Sequence, residues 1–397
     1  MRRIAVALAV ALPALVLRLS GVHLSPPVAI PIFGSAVVAS AFLLVWAAEA
    51  AQRDISGSLA TAILAVIAVL PEYAVDLYFA WSAGHIPENA HYAAANMTGS
   101  NRLLLGLGWP FVVLLFIFGG RRGPRRPAGI VLRESRRVEL GFLAAASLYS
   151  LVVPFTRRLA WYDSVVLLAI FFAYLWRAAG GEQTEPHLVG VAKRIGDLPA
   201  RTRRTAVITL MLGATAFVTV AAGPFGGALV EGGRQLGMDE FLLVQWLAPL
   251  SSESPELLVA AVLALRGDQD PALGMLLSAK VNQWTLLVGS LPIAYAIGGG
   301  GAEGIGLDGR QTEEFVLTAA QTVLGFAVLA DLRLHVWEAA ALLALFTLQF
   351  PFPQTGVRMA FAAAYAALAV ALLVYRRREL PRIVRATLRP AAAPPPA

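Results

Sequence analysis

The chain has no cysteine in its 397 residues, so it holds neither a disulfide framework nor a thiolate metal site. Charge is scarce, at 14% of residues, and lysine is nearly absent: Lys193 and Lys280 are its only two copies. No nucleophile–base set and no His-rich metal cluster is visible along it, which argues against an enzyme and leaves no cofactor to expect. Apolar residues fill the space instead, at 58% of the chain, with a mean hydropathy of +0.68. A membrane-spanning helix takes roughly 20 apolar residues, and about twelve stretches qualify. They run near 4–20, 28–50, 57–82, 89–119, 138–155 and 159–178, then near 205–226, 238–265, 271–297, 312–331, 334–350 and 357–375. The predicted class is an all-α, polytopic membrane protein whose first partner is the lipid bilayer.

The net charge of +7 is mostly arginine, and its placement follows topology rather than nucleic-acid binding. One set of connections takes Arg2, Arg3 and Arg53, the seven arginines of 119–137, Lys193, Arg194, Arg201, Arg203, Arg204, Arg266, Arg333 and the tail from Arg376 to Arg389. The alternate set holds few: Arg157, Arg158, Arg234, Arg310 and Arg358. This bias predicts both termini in the cytoplasm, with Arg157 and Arg158 as the main violation. The Arg- and Ala-rich composition points to a bacterial plasma membrane. Residues 1–20 share the basic start and apolar run of a secretory signal, but the cleavage pattern is poor, so an uncleaved first helix is expected.

The longest polar stretch between spans, 180–204, divides the chain. It leaves an N-terminal transmembrane half over 1–179, a cytoplasmic linker over 180–204, a C-terminal transmembrane half over 205–376, and a basic, then disordered tail over 377–397. Each half carries an acid directly after a proline inside an apolar stretch, Pro71-Glu72 and Pro255-Glu256. A carboxylate at membrane depth is costly unless it is paired, hydrated or holding a cation. The proline removes a helical hydrogen bond and frees a carbonyl one turn back, so a broken helix is expected at each acid. Each Pro-Glu leads through an apolar run to Gly84 or Gly267, then a polar hairpin, then a second interrupted helix over 93–109 or 272–289. The two acids fall in the third and eighth spans. That odd offset makes the halves enter the membrane in opposite directions, as two inverted-topology repeats of about five helices with an extra helix at each end.

The residues around these acids resemble the α-repeat of the cation/calcium exchanger superfamily, which includes sodium/calcium and proton/calcium exchangers. The first repeat is similar at Pro71-Glu72-Tyr73-Ala74-Val75, Asn96, Gly99-Ser100-Asn101 and Gly106. The second is similar at Ser254-Pro255-Glu256-Leu257-Leu258-Val259, Arg266-Gly267-Asp268 and Ala272-Leu273-Gly274. The resemblance implies a secondary cation antiporter working by alternating access, in which the glutamate-bearing helices cross near the bilayer centre. It assigns Glu72 and Glu256 to coordination of the transported metal ion. Ser100, Asn101 and Asn282 offer further oxygens to a hard cation such as calcium, which takes roughly 6–8 of them. The partners so implied are inorganic cations: calcium, sodium or protons.

Several positions depart from the family pattern. The Thr-Ser expected shortly before each Pro-Glu is Ala68-Val69 in the first repeat and Ser252-Glu253 in the second. Asp76 stands four residues after Glu72, where a small or hydroxylated residue is common, so each acid pair shares one helix face. Asp76 and Glu253 join the candidate site on that ground. Ser278-Ala279-Lys280 replaces the second Gly-Ser-Asn, and Leu104 and Gln283 replace an Asn or Asp three residues further on. Lys280 is expected to act as a tethered cation that removes the need for one or more sodium ions, favouring proton coupling. Arg102, beside Asn101, is expected to neutralise an acid or line the entrance. Two other readings stand beside calcium exchange: a monovalent cation/proton antiporter, and a non-transporting scaffold or sensor with the exchanger fold.

Overall fold

A computed structural model describes residues 2–22, 24–51, 53–54, 70–119, 127–179, 188–235, 237, 240–349, 352 and 354–388. Every apolar stretch picked out above overlies helix. The start of the third (57–69, with Ala68-Val69), Arg121, Arg122, Arg125 and Arg126, the linker residues 180–187 and the end of the tail lie outside the described residues. Among the described residues, eight helices are long and apolar enough to cross a bilayer on their own.

The first half contains α1 (Arg2–Ser20), α2 (Pro26–Ala51), α3 (Leu70–Ala83), α4 (Ala90–Leu103), α5 (Trp109–Phe118), α6 (Arg137–Ser150) and α7 (Trp161–Ala179). A short α8 (Gly190–Gly196) precedes α9 (Ala200–Gln235), α10 (Glu240–Arg266), α11 (Gln269–Asn282), α12 (Val288–Ile297), α13 (Gly309–Leu329), α14 (Val336–Leu348), α15 (Thr355–Tyr375) and α16 (Leu380–Leu388). One repeat is α2, α3, α4–α5, α6 and α7. Its inverted counterpart is α9, α10, α11–α12, α13 and α14, with α1 and α15 as the extra end helices.

The expected interruptions of the second helix in each repeat are π-helical turns. One covers Leu104–Gly108 between α4 and α5, the other Gln283–Leu287 between α11 and α12. A π turn places one extra residue in the helix and is often found at functional sites. Gly106 of the first such turn lies against α14, where a Cβ would collide with the Phe346 side chain. The break expected at Pro255 is absent, because α10 runs unbroken through it. A proline withdraws only its own N–H, and the bonds on either side of it carry the helix through. Pro71 stands at the start of the described part of α3, and the turns before it are outside the described residues.

The chain forms two compact units. The first takes residues 1–79 and 178–255. Within it α9 packs along α2, and α1 lies on both. Ala47, Ala50 and Ala51 of α2 form a buried cluster with Val191, Ile195 and Val207. Just past the end of α2, Asp54 accepts hydrogen bonds from Arg203 at 2.6 and 2.7 Å and from Arg204 at 3.0 Å. Arg203 also donates to the carbonyls of Gly196 and Leu198.

The second unit takes residues 80–177 and 256–391. In it α13 packs on α15 and α4, α14 on α5, and α16 on α6. Two short antiparallel ribbons tie its loops together. β1 (Gly129–Val131) pairs with β4 (Arg333–His335), and β2 (Arg158–Leu159) with β3 (Ile305–Gly306). The inverted-repeat axis exchanges the ribbons, since the α5–α6 loop corresponds to the α12–α13 loop and the α6–α7 loop to the α13–α14 loop. Gly304, at φ +84°, turns the chain into β3 where a Cβ would meet the Leu159 carbonyl. Each ribbon joins loops that the arginine distribution assigns to one side. Arg158, part of the charge violation, sits 3.3 Å from Glu303 across β2–β3.

Candidate functional site

In the first unit Glu72 and Asp76 lie one turn apart on α3, both buried, with Asp76 fully so. Glu253 is buried on α10 in the same unit. Glu256 follows three residues later on the same continuous helix, in the part belonging to the second unit, and is half-buried. The sharing of one helix face by each acid pair thus follows from helical spacing. Among the described residues no group of three His, Asp or Glu side chains gathers as a metal-holding cluster.

The second unit brings two of the predicted residues into direct contact. Lys280, with no exposed surface, donates its ammonium to the Asn101 backbone carbonyl and, at 2.9 Å, to Asn101 Oδ1. The amide orientation is fixed from the other end, because Asn101 Nδ2 donates to the Met97 carbonyl at 2.9 Å. Ser100 is buried beside it and donates to the same carbonyl at 3.1 Å. Asn282 is buried two residues beyond Lys280. Lys280 Nζ also lies 5.8 Å from the centroid of the Trp284 ring, whose indole N–H donates to Thr322 at 2.7 Å.

Lys280 stands in the second repeat where Asn101 stands in the first. Two positions related by a pseudo-two-fold axis touch only when they lie beside that axis. The pair therefore marks the axis of the inverted repeat, which in such folds lies near the bilayer midplane. The two π turns begin within three residues of it, at Leu104 and Gln283, the positions where the family pattern has an Asn or Asp.

The model of the sodium/calcium exchanger protein family matches residues 26–179 and 206–350. The chain belongs to this family. Among solved structures, the exchanger resembles the crystal structure of the H+/Ca2+ exchanger CAX at 38% identity and a TM-score of 0.92, over 97% of this chain and 96% of that one. It shares its fold with native YfkE at 15% identity and a TM-score of 0.64, over 92% and 100% of the two chains. The sodium-calcium exchanger NCX_Mj is similar at 15% identity and a TM-score of 0.54, over 81% and 97%. No curated protein matches the exchanger in sequence.

Sequence reasoning did not find the acid that Arg102 meets. It is Glu314 on α13, and both side chains are buried. The Arg102 carbonyl accepts from Gln321, two turns further along α13. Arg358 at the head of α15 bonds Glu313 at 2.7 Å and lies 3.8 Å from Glu314. A polar chain thus continues from Lys280 and Asn101 through Arg102 and Glu314 to Arg358, which keeps slight exposure. The available signal was Glu313-Glu314, two acids opening an apolar stretch, and an arginine in another stretch that needs an anion.

Proposed function

We propose that the exchanger is a proton-driven calcium antiporter in which Lys280 takes the place of a mobile monovalent cation. The observation that carries this reading is the buried Lys280 ammonium donating to both oxygens of Asn101. Amide and carbonyl oxygens are donors a sodium or calcium ion would use, and here a covalently attached charge engages them. Glu72 and Glu256 are the carboxylates that bind the transported ion. Two carboxylates accept either one divalent cation or two protons, so exchange follows from competition for the same groups. Asp76, Glu253, Ser100 and Asn282 complete the coordination or the proton store. The 38% identity to an H+/Ca2+ exchanger supports proton coupling over sodium coupling.

Purified protein in liposomes tests this directly. An imposed pH gradient is expected to drive calcium uptake, and a sodium gradient of equal size to drive none. Glu72→Gln and Glu256→Gln are each expected to reduce uptake to the level of empty vesicles. Lys280→Asn is expected to introduce sodium dependence, and an unchanged indifference to sodium would remove Lys280 from the coupling. Lys280 also lowers the negative charge available to a divalent ion, which favours monovalent cation/proton antiport as the second reading. Replacing calcium by sodium or potassium under the same pH gradient separates the two. Absence of all flux, unaltered by the glutamate substitutions, would leave a scaffold.

A further inference from the structure

Between α1 and α2 the first unit carries an open groove of about 750 Å³ that the transport site does not use. Its walls are apolar, with Val6 and Val10 on α1 facing Val38, Phe42 and Trp46 on α2. Val6 is 56% exposed and Val10 37%, so the protein itself leaves this face uncovered. Arg2 and Arg3 belong to the lining and are exposed. The two helices are sequential and antiparallel, so the arginines stand at the same end as Phe42 and Trp46, and Val10 stands at the other end with Ser35. From Arg2 to Val10 a helix rises about 12 Å, close to the roughly 15 Å of hydrocarbon in one leaflet. The far end offers no free donor, since the Ser35 hydroxyl donates to the Ile32 carbonyl at 3.0 Å.

We propose that this groove seats one anionic glycerophospholipid. One of its two acyl chains lies along α1 and α2, and its phosphate lies between Arg2 and Arg3. The groove matches such a lipid in chemistry and in length. It is apolar over one leaflet's depth and ends in two guanidinium groups, which bind phosphate oxygens through paired N–H donors. Basic pockets between membrane helices recognise lipid headgroups in this way. A zwitterionic lipid fits the apolar wall but brings its own cation to the arginines. A second copy of the chain would have to supply both an apolar ridge and an anion. None of the candidate cation residues on α3, α4, α10 or α11 lines the groove, so the two sites are separate.

Native mass spectrometry of the purified full-length protein tests the proposal, with equal amounts of phosphatidylglycerol and phosphatidylcholine of matched acyl chains. The first lipid retained is expected to be phosphatidylglycerol, in several-fold excess. Arg2→Gln with Arg3→Gln is expected to bring the ratio to parity, and Arg2→Lys with Arg3→Lys to keep most of the preference. Ala39 of α2 also lines the groove, so Ala39→Phe fills it without changing charge and is expected to lower retention of that first lipid. Val6→Trp, at an exposed wall position, does the same if Ala39→Phe fails to give a monodisperse protein. Parity in the unmodified protein overturns the proposal, as does a preference that survives the double Gln change. Loss of preference with the Gln pair but full retention in both groove-filling variants also overturns it, since the arginines would then act as surface charge alone. A dimer lost on filling the groove would show that a second copy sits there.

Discussion

A lysine ammonium with no exposed surface gives up its hydration, and Lys280 replaces it with the two oxygens of Asn101. Lys280→Met keeps the volume but leaves those oxygens without their donor. It is expected to lower stability by about 1–3 kcal/mol, read from thermal unfolding of the detergent-solubilised protein. The Arg102–Glu314 pair has a larger stake because both groups are charged and buried. Glu314→Gln is expected to cost about 3–5 kcal/mol by leaving Arg102 facing a neutral amide, and removing both charges together to restore most of it. A double-mutant cycle on Arg102 and Glu314 measures that coupling. Additive effects would show that the two do not act as a pair.

At the scale of elements, the π turns at Leu104–Gly108 and Gln283–Leu287 are the shared irregularity of the repeats. Each holds one residue more than an α-helix would need. Deleting Leu107 therefore closes the first turn into regular helix and leaves α4 and α5 in register. The variant is expected to fold, with unchanged helical content, and to lose calcium uptake; retained uptake would assign the turn to packing alone. The tie between the end of α2 and the start of α9 is electrostatic and titrates. Arg203's hydrogen bond, assisted by Arg204, holds the Asp54 carboxyl down to about 2 from its ordinary 3.8. A lowered folded-state value means the stabilisation is complete above about 3.8 and fades as pH falls through about 2. Unfolding followed from roughly pH 5 downward is expected to show this loss in the native chain and not in Asp54→Asn.

At the scale of the whole molecule, the absence of cysteine makes topology directly measurable, because any introduced thiol is the only one. Cysteines at Glu134 and Asp331, beside the β1–β4 ribbon, are expected to react with an impermeant reagent from one side of the membrane. Cysteines at Arg157 and Glu303, beside β2–β3, are expected to react from the other. Labelling of all four from one side would rule out the inverted arrangement.

Hydropathy alone was enough to expect helices where the described chain has them, eight of which are long and apolar enough to cross a bilayer, since a helix in lipid must be long and apolar to satisfy its own backbone. The odd offset between the two Pro-Glu sites was enough to state the inversion, and the polar residues standing in apolar stretches named Glu72, Asp76, Asn101, Glu253, Glu256 and Lys280. These are properties of local sequence and of counting. The contact of Lys280 with Asn101 and of Arg102 with Glu314 joins residues far apart in the chain, and so does the pairing of the two loop ribbons. Which buried charge meets which partner depends on how helices from opposite repeats pack beside the axis. A charge in an apolar stretch announces that it needs a partner, and only the tertiary structure decides which one it finds.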